Sequence, residues 1–285
     1  MNARSTGRVL AILAVLAVGA DSGCALRVSS GAGPAPTTTV TLPLEPYFRD
    51  LKTVTVSTGI GPLVLLLDTG GGTTLITPRV AIRIGCRPFG RDVGHRMTGE
   101  QVEFERCDAL DVSVGDWRRR IQPVGVFDVN ALLPAELPRL DGVLALDAFL
   151  GQVITIDWLS GSVRVHADSE AEPALRGHGV PVRIATGDNG RFCSVFVPVA
   201  AARGRLWFLL DSGNIRGTLL ARHVVGQNLL EIGPAGEVML TVGSRPSISM
   251  RADAADLVID GTVGTAWLML EPVTLDLRAV PARVP

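Results

Sequence analysis

Two acidic side chains of this sequence stand in matching surroundings. Asp68 belongs to Leu65-Leu66-Leu67-Asp68-Thr69-Gly70, and Asp211 to Phe208-Leu209-Leu210-Asp211-Ser212-Gly213. Each carboxylate closes an apolar run, where a charge is costly unless it is paired or hydrogen-bonded. A hydroxyl residue follows, Thr69 or Ser212, able to bond backbone and stiffen a loop. Then comes Gly70 or Gly213, which permits a tight turn or a close backbone approach. Two carboxylates face to face at ~3 Å, in an effective dielectric of ~20, repel by roughly 5 kcal/mol. One of them then keeps a proton while the other is ionised. Such a pair can hold a water molecule. The ionised member takes the proton of the water and the protonated member polarises a carbonyl, which is hydrolytic chemistry.

The elements that would bring these residues together recur as well. Leu140-Asp141-Gly142-Val143-Leu144-Ala145 corresponds to Ile259-Asp260-Gly261-Thr262-Val263-Gly264. Asp141 precedes Asp157 by sixteen positions, and Asp260 precedes Asp276 by the same sixteen. Two units in one order predict a duplication and a two-lobed molecule. Leu63–Leu67 and Leu206–Leu210 read as strands buried on both faces. Thr53–Ser57 alternates as a half-buried strand does. Short helices are expected over Pro78–Ile84, Leu146–Gln152 and Leu220–Val225. The tripeptide alone is a weak signal, since Asp21-Ser22-Gly23 is a third copy with no Asp-Gly partner. Asp141 and Asp260 read as turn or cap residues.

Composition narrows the classes. The chain has 285 residues, 47% hydrophobic and 19% charged, which excludes a disordered tail. Its net charge of −1 gives no support for a nucleic-acid partner. Arg118-Arg119-Arg120 reads as a solvated strand end or turn. Gly 32 plus Pro 18 argues for many short strands rather than long helices. No Gly-Lys-Ser/Thr follows Gly70-Gly71-Gly72, no GxSxG occurs, and the histidines are dispersed. Nucleotide binding, a serine nucleophile and a zinc site therefore find no signature, and neither cofactor nor metal is expected.

Arg4 and Arg8 precede the apolar run Val9–Ala20, too short for the ~20 residues of a membrane span, so 1–23 reads as an export signal. Ser22-Gly23-Cys24 is similar to the end of a bacterial lipobox, although Asp21 fits it poorly. Cys24 is thus a lipidation candidate and membrane tether, with plain secretion as the alternative. Residues 24–40 read as a flexible tether. The mature chain is expected in the periplasm, the cell envelope or the extracellular medium. Cys86 and Cys107 could close a disulfide worth about 3 kcal/mol in such a compartment, or remain two separate buried thiols.

With both Asp-Thr/Ser-Gly units and both Asp-Gly units in view, the chain resembles the aspartic proteases over residues 50–280. Asp-Gly-Val-Leu-Ala-Leu-Asp-Ala-Phe-Leu is similar to the bacterial retropepsin-like branch, and the single-chain duplication to the pepsin layout. The resemblance implies an all-β, bilobal acid-protease fold, with two pseudo-twofold-related barrel-like lobes over 41–170 and 171–285 and a few short helices. It implies Asp68 and Asp211 as the catalytic pair, supported by Thr69, Gly70, Ser212 and Gly213. It implies a substrate-covering flap around Thr98, Gly99 and Glu100, inside the Cys86–Cys107 loop, and a monomer acting on peptide or protein substrates. A catalytically inactive envelope protein that binds a peptide or protein partner is the alternative. Departures from the family pattern are Gly71 and Asn214 after the motif glycines, Ala145 where a glycine is usual, and no flap tyrosine, since the sole tyrosine is Tyr47.

Overall fold

A computed structural model describes residues 36–176, 179–186, 192–214, 217–243 and 246–278. The export signal and Cys24 lie outside the described residues. Apolar alternation and short apolar runs, punctuated by glycine, produce sheets rather than helices. A ten-stranded sheet is built wholly from the first half, and a seven-stranded sheet wholly from the second. A four-stranded sheet takes strands from both, in the order Val40–Pro43, Ser162–Val165, Val153–Asp157, Val273–Asp276.

In the first half the strands that matter to the site are β1 (Gly61–Leu67), β2 (Leu75–Ile76), β3 (Phe89–His95), β4 (Gln101–Cys107) and β5 (Gly142–Leu144). In the second they are β6 (Arg205–Leu210), β7 (Thr218–Ala221) and β8 (Gly261–Val263). The repeat seen in the sequence is a repeat in space. β5 lies parallel to β1 and antiparallel to β2, with Leu144 opposite Leu67. β8 lies parallel to β6 and antiparallel to β7, with Val263 opposite Leu210. The residue before each motif aspartate therefore sits at the same rung of the same three-strand arrangement.

Asp141 and Asp260 fasten these arrangements. Asp141 Oδ2 accepts the Val64 N–H (3.0 Å), its carbonyl accepts Thr77 N–H (2.8 Å), and Oδ1 pairs with Arg79 (2.9 Å). Asp260 repeats all three contacts with Trp207 N–H (2.8 Å), Ala221 N–H (2.9 Å) and His223 (3.2 Å). Each is a structural anchor at the strand that carries a motif aspartate. Gly142 and Gly261 follow because a Cβ would lie 2.0 Å from the Leu75 carbonyl oxygen or 2.6 Å from that of Leu219.

The helices are short. Pro78–Arg83 is capped by Thr77, whose hydroxyl accepts Val80 N–H, and starts with proline at a position that needs no donor. Leu146–Phe149 forms a 3-10 turn, and Arg222–Gly226 one helical turn. The largest apolar cluster runs through both halves, with Trp117 stacked on Phe149 at 5.3 Å between ring centres. Arg119 corrects the reading of the arginine run as solvated. It lies in the strand Trp117–Ile121, points inward with Trp117 and Ile121, is buried, and donates to the Leu150 carbonyl.

Candidate active site

Each motif aspartate leaves its strand at the same point. Asp68 N–H donates to Leu144 O (3.1 Å), and Asp211 N–H to Val263 O (2.9 Å). The chain then turns so that each carboxylate captures the amide two residues on. Asp68 Oδ1 accepts Gly70 N–H (2.9 Å), and Asp211 Oδ1 accepts Gly213 N–H (3.1 Å).

The two turns interlock. Thr69 N–H donates to Ser212 Oγ (3.0 Å), and Ser212 N–H to Thr69 Oγ1 (2.9 Å). Thr69 Oγ1 donates to Leu210 O (2.8 Å), and Ser212 Oγ to Leu67 O (2.9 Å). Each hydroxyl thus accepts from one backbone group of the opposite half and donates to another. Four buried hydrogen bonds with full partners fix the turns against each other.

The glycines let the carboxylates meet. A Cβ on Gly70 would lie 2.6 Å from Cγ of Asp211, and one on Gly213 would lie 2.5 Å from Cγ of Asp68. Those separations are shorter than van der Waals contact, so only a residue without a side chain fits between each turn and the opposite acid. Both aspartates are 0% exposed. The Oδ2 atoms of Asp68 and Asp211 are buried and have no hydrogen-bond partner among the described residues. Burial raises the pKa of Asp68 against the pull of the Gly70, Gly71 and Gly213 amides. Burial raises that of Asp211 too, and the charge of Asp68 raises it further. The pair therefore favours a state that carries a proton at its centre.

The fold is all-β and bilobal, with one sheet built from each half and a third shared between them. No family model matches the chain, and no curated protein matches it either. Similar solved structures include conglutin gamma, a basic 7S globulin from lupine seeds, at 13% identity and a TM-score of 0.49, covering 85% of this chain and 93% of that one. Basic 7S globulin from soybean is similar at 10% identity and a TM-score of 0.48, covering 86% and 99%. Neither likeness speaks to activity.

The hairpin β3–β4 turns at Arg96–Glu100, closed by Arg96 N–H to Glu100 O (2.8 Å) and Gly99 N–H to Arg96 O (2.7 Å). Gly99 takes φ +83°, which explains glycine at that corner. Thr98 and Glu100 face solvent, and Met97 turns inward. Met97 is 1% exposed and packs with Leu209 and Leu219, flanked by Phe196, Leu257 and Ile259, all from the second half. Its carbonyl accepts Val258 N–H (2.9 Å). The hairpin tip thus docks on a cluster that includes Leu209, two residues before Asp211. Cys86 and Cys107 are joined, with their Cα atoms 5.9 Å apart, and tie the end of β4 to the segment that precedes β3.

Of the residues the sequence singled out, Asp68, Thr69, Gly70, Asp211, Ser212 and Gly213 come together at one point. Asn214, which follows the second motif glycine, directs its side-chain amide to Gly217 O (2.9 Å) and Thr262 Oγ1 (3.0 Å). Two residues near the site escaped sequence reasoning as site residues: Asp147 and Arg119. Asp147 had a signal, because a carboxylate flanked by Leu146, Ala148 and Phe149 must find donors inside. Arg119 had one too, in phase with Trp117 and Ile121.

Proposed function

We propose that this chain is an exported aspartic-type endopeptidase of the retropepsin-like and pepsin-like kind. Asp68 and Asp211 share the roles of general base and general acid. The observation that carries the reading is the reciprocal approach of Gly70 to the Asp211 carboxyl and of Gly213 to the Asp68 carboxyl. That approach puts two buried acids together, which is costly unless one proton serves both. The ionised carboxylate would remove a proton from a water held between them. The protonated carboxyl would donate to the scissile carbonyl oxygen, and the roles reverse as the amine departs. An extended peptide would enter once the hairpin tip lifts from Leu209 and Leu219. Export is supported by the basic and apolar start of the chain and by the Cys86–Cys107 bond. Lobes over 41–170 and 171–285, a signal over 1–23 and a lipid tether at Cys24 belong to the same proposal.

A second reading has its own support. Both acids are fully buried beneath a docked fold, and Gly71 offers Asp68 no side chain. An inactive protein that binds a peptide or protein partner would tolerate both features.

Mass spectrometry of a peptide library incubated from pH 3 to 8 separates the two. The wild-type protein cleaves, and Asp68→Asn and Asp211→Asn each abolish cleavage while the far-ultraviolet spectrum is unchanged. Cleavage that survives both substitutions sinks the assignment. No cleavage by the wild type, with retained peptide binding, favours the second reading.

A further inference from the structure

The run Gly70-Gly71-Gly72 that carries Asp68 outward has no side chain with which to hold itself. Within the turn Gly71 N–H donates to Asp68 O (3.3 Å) and Thr73 N–H to Gly71 O (2.7 Å), and the hold from outside comes at its far end. At Gly72 the carbonyl accepts Cys193 N–H (2.8 Å), from the second half. At Thr74 the grip is a carboxylate: Asp147 Oδ2 accepts Thr74 N–H (2.9 Å) and Oδ1 accepts its hydroxyl (2.5 Å). Thr74 passes the hold on, since its Oγ1 accepts Ala145 N–H (3.1 Å) and its carbonyl accepts Gly125 N–H (3.0 Å). Ala145 follows Leu144, whose carbonyl holds Asp68 N–H. Asp147, Thr74, Ala145, Leu144 and Asp68 therefore form one hydrogen-bonded and covalent circuit.

The second half lacks this device. Six residues after Asp141 stands Asp147, whereas six after Asp260 stands Ala266. The carboxylate is a feature of the Asp68 turn alone.

We propose that Asp147 is a positioning residue for Asp68, its ionised carboxylate clamping Thr74 by main chain and side chain and so stiffening the three-glycine turn. The proposal rests on the peptidase reading for its effect on rate, and on geometry alone for its effect on the turn. Ionisation matters because both Thr74 groups are donors. A carboxylate accepts both with full strength, while a carboxylic acid brings a proton that needs an acceptor of its own. The charged and titratable groups that face Asp147 are Arg119, from the strand Trp117–Ile121, and Cys193, just before the strand Ser194–Ala200. Burial raises the Asp147 carboxyl to about 6, against the pull of the Thr74 hydroxyl, the Thr74 and Ala148 amides and the Arg119 charge. Burial pushes the Cys193 thiol up, so it stays neutral. The clamp thus engages as pH rises through about 6.

The test is kcat against pH for wild type and Asp147→Asn on one cleaved peptide. Asparagine keeps the shape but accepts through one oxygen only. At pH 7 the expected ratio of wild-type to variant kcat is about tenfold, the scale of one charge-assisted hydrogen bond, with KM within about twofold. The ratio closes toward unity as pH falls to about 4, where the wild-type carboxyl is protonated too. A ratio that stays constant with pH, or a variant equal to wild type, overturns the proposal. Thr74→Val removes one of the two clamped donors and is expected to lower kcat in the same direction, while Thr74→Ser restores it. Amide hydrogen exchange over residues 70–74 reads the clamp without substrate. It is expected to be faster in Asp147→Asn at pH 7 than in wild type, once intrinsic rates are corrected, and equal at pH 4. Equal exchange at both pH values overturns the clamp. Absence of cleavage by the wild type would instead count against the peptidase reading and leave the exchange result standing.

Discussion

Gly70 and Gly213 show how one missing methyl group decides what a site can be. Alanine at either position puts Cβ within 2.5–2.6 Å of the opposite carboxyl. The expected result for Gly70→Ala is a folded protein destabilised by about 2 kcal/mol, with cleavage reduced at least about a hundredfold as the acids are pushed apart. Gly59→Ala is the control, since a Cβ there meets nothing within 4 Å, and its melting curve should be displaced by no more than about 0.5 kcal/mol. Thermal melting and the peptide assay check both. Equal effects at Gly70 and Gly59 would remove the steric explanation. The site glycines and hydroxyls were legible in the sequence because two copies of the motif stand after two similar strands. Asp147 was less so, because its partner Thr74 is 73 residues away and nothing local announces the pairing. Arg119 is hidden in the sequence by its exposed neighbours Arg118 and Arg120, although it shares the inward phase of Trp117 and Ile121.

Among the elements, the hairpin β3–β4 has two attachments of different kinds. The Cys86–Cys107 bond holds its base covalently, and Met97 holds its tip by apolar contact and one backbone bond. Its outer strand lies at the edge of the ten-stranded sheet. Met97→Ala should weaken the tip by about 2 kcal/mol, making amide exchange across the hairpin tip about thirtyfold faster while the rest of the chain keeps its protection. Exchange measured peptide by peptide checks this. A uniform increase, or none, would mean the tip does not open as its own unit. The sequence points to Thr98, Gly99 and Glu100 in this turn. Of these, Gly99 makes the corner and the other two face water. The buried member was Met97, whose partners lie more than a hundred residues away, beyond the reach of local periodicity.

For the molecule as a whole, two sets of buried groups respond to pH in opposite directions. Asp68, Asp211 and Asp147 have folded pKa values raised above the unfolded carboxyl, so the fold binds their protons more tightly than the unfolded chain does. Their contribution is full below about pH 4 and is lost as pH rises, for Asp147 through about 6. His166 behaves in reverse. It is buried just after the strand Ser162–Val165 of the shared four-stranded sheet, where its Nε2 pairs with Thr155 Oγ1 at 2.8 Å. Burial first, and then the Arg164 charge, lowers its pKa. The stability that a neutral His166 contributes is present above about pH 6.5 and is lost as pH falls below it. Between about pH 4 and 6.5 the three carboxyls outweigh the one imidazole, so the melting temperature is expected to fall as pH rises. Asp147→Asn should make that fall shallower, and His166→Gln should make it steeper. Calorimetry from pH 4 to 8 tests both, and a wild-type melting temperature independent of pH would contradict them. The sheet order around His166 was not legible, because it joins Val40–Pro43 to strands more than a hundred residues downstream.

The crossed bonding of Thr69 and Ser212 also bears on how such a chain can change over generations. Damage at either hydroxyl is felt by the backbone of the other half, so neither copy of the motif can drift without harming its twin. Divergence between the copies is free only where they do not touch. The buried Asp147, present in one copy and replaced by Ala266 in the other, is where that freedom has been used.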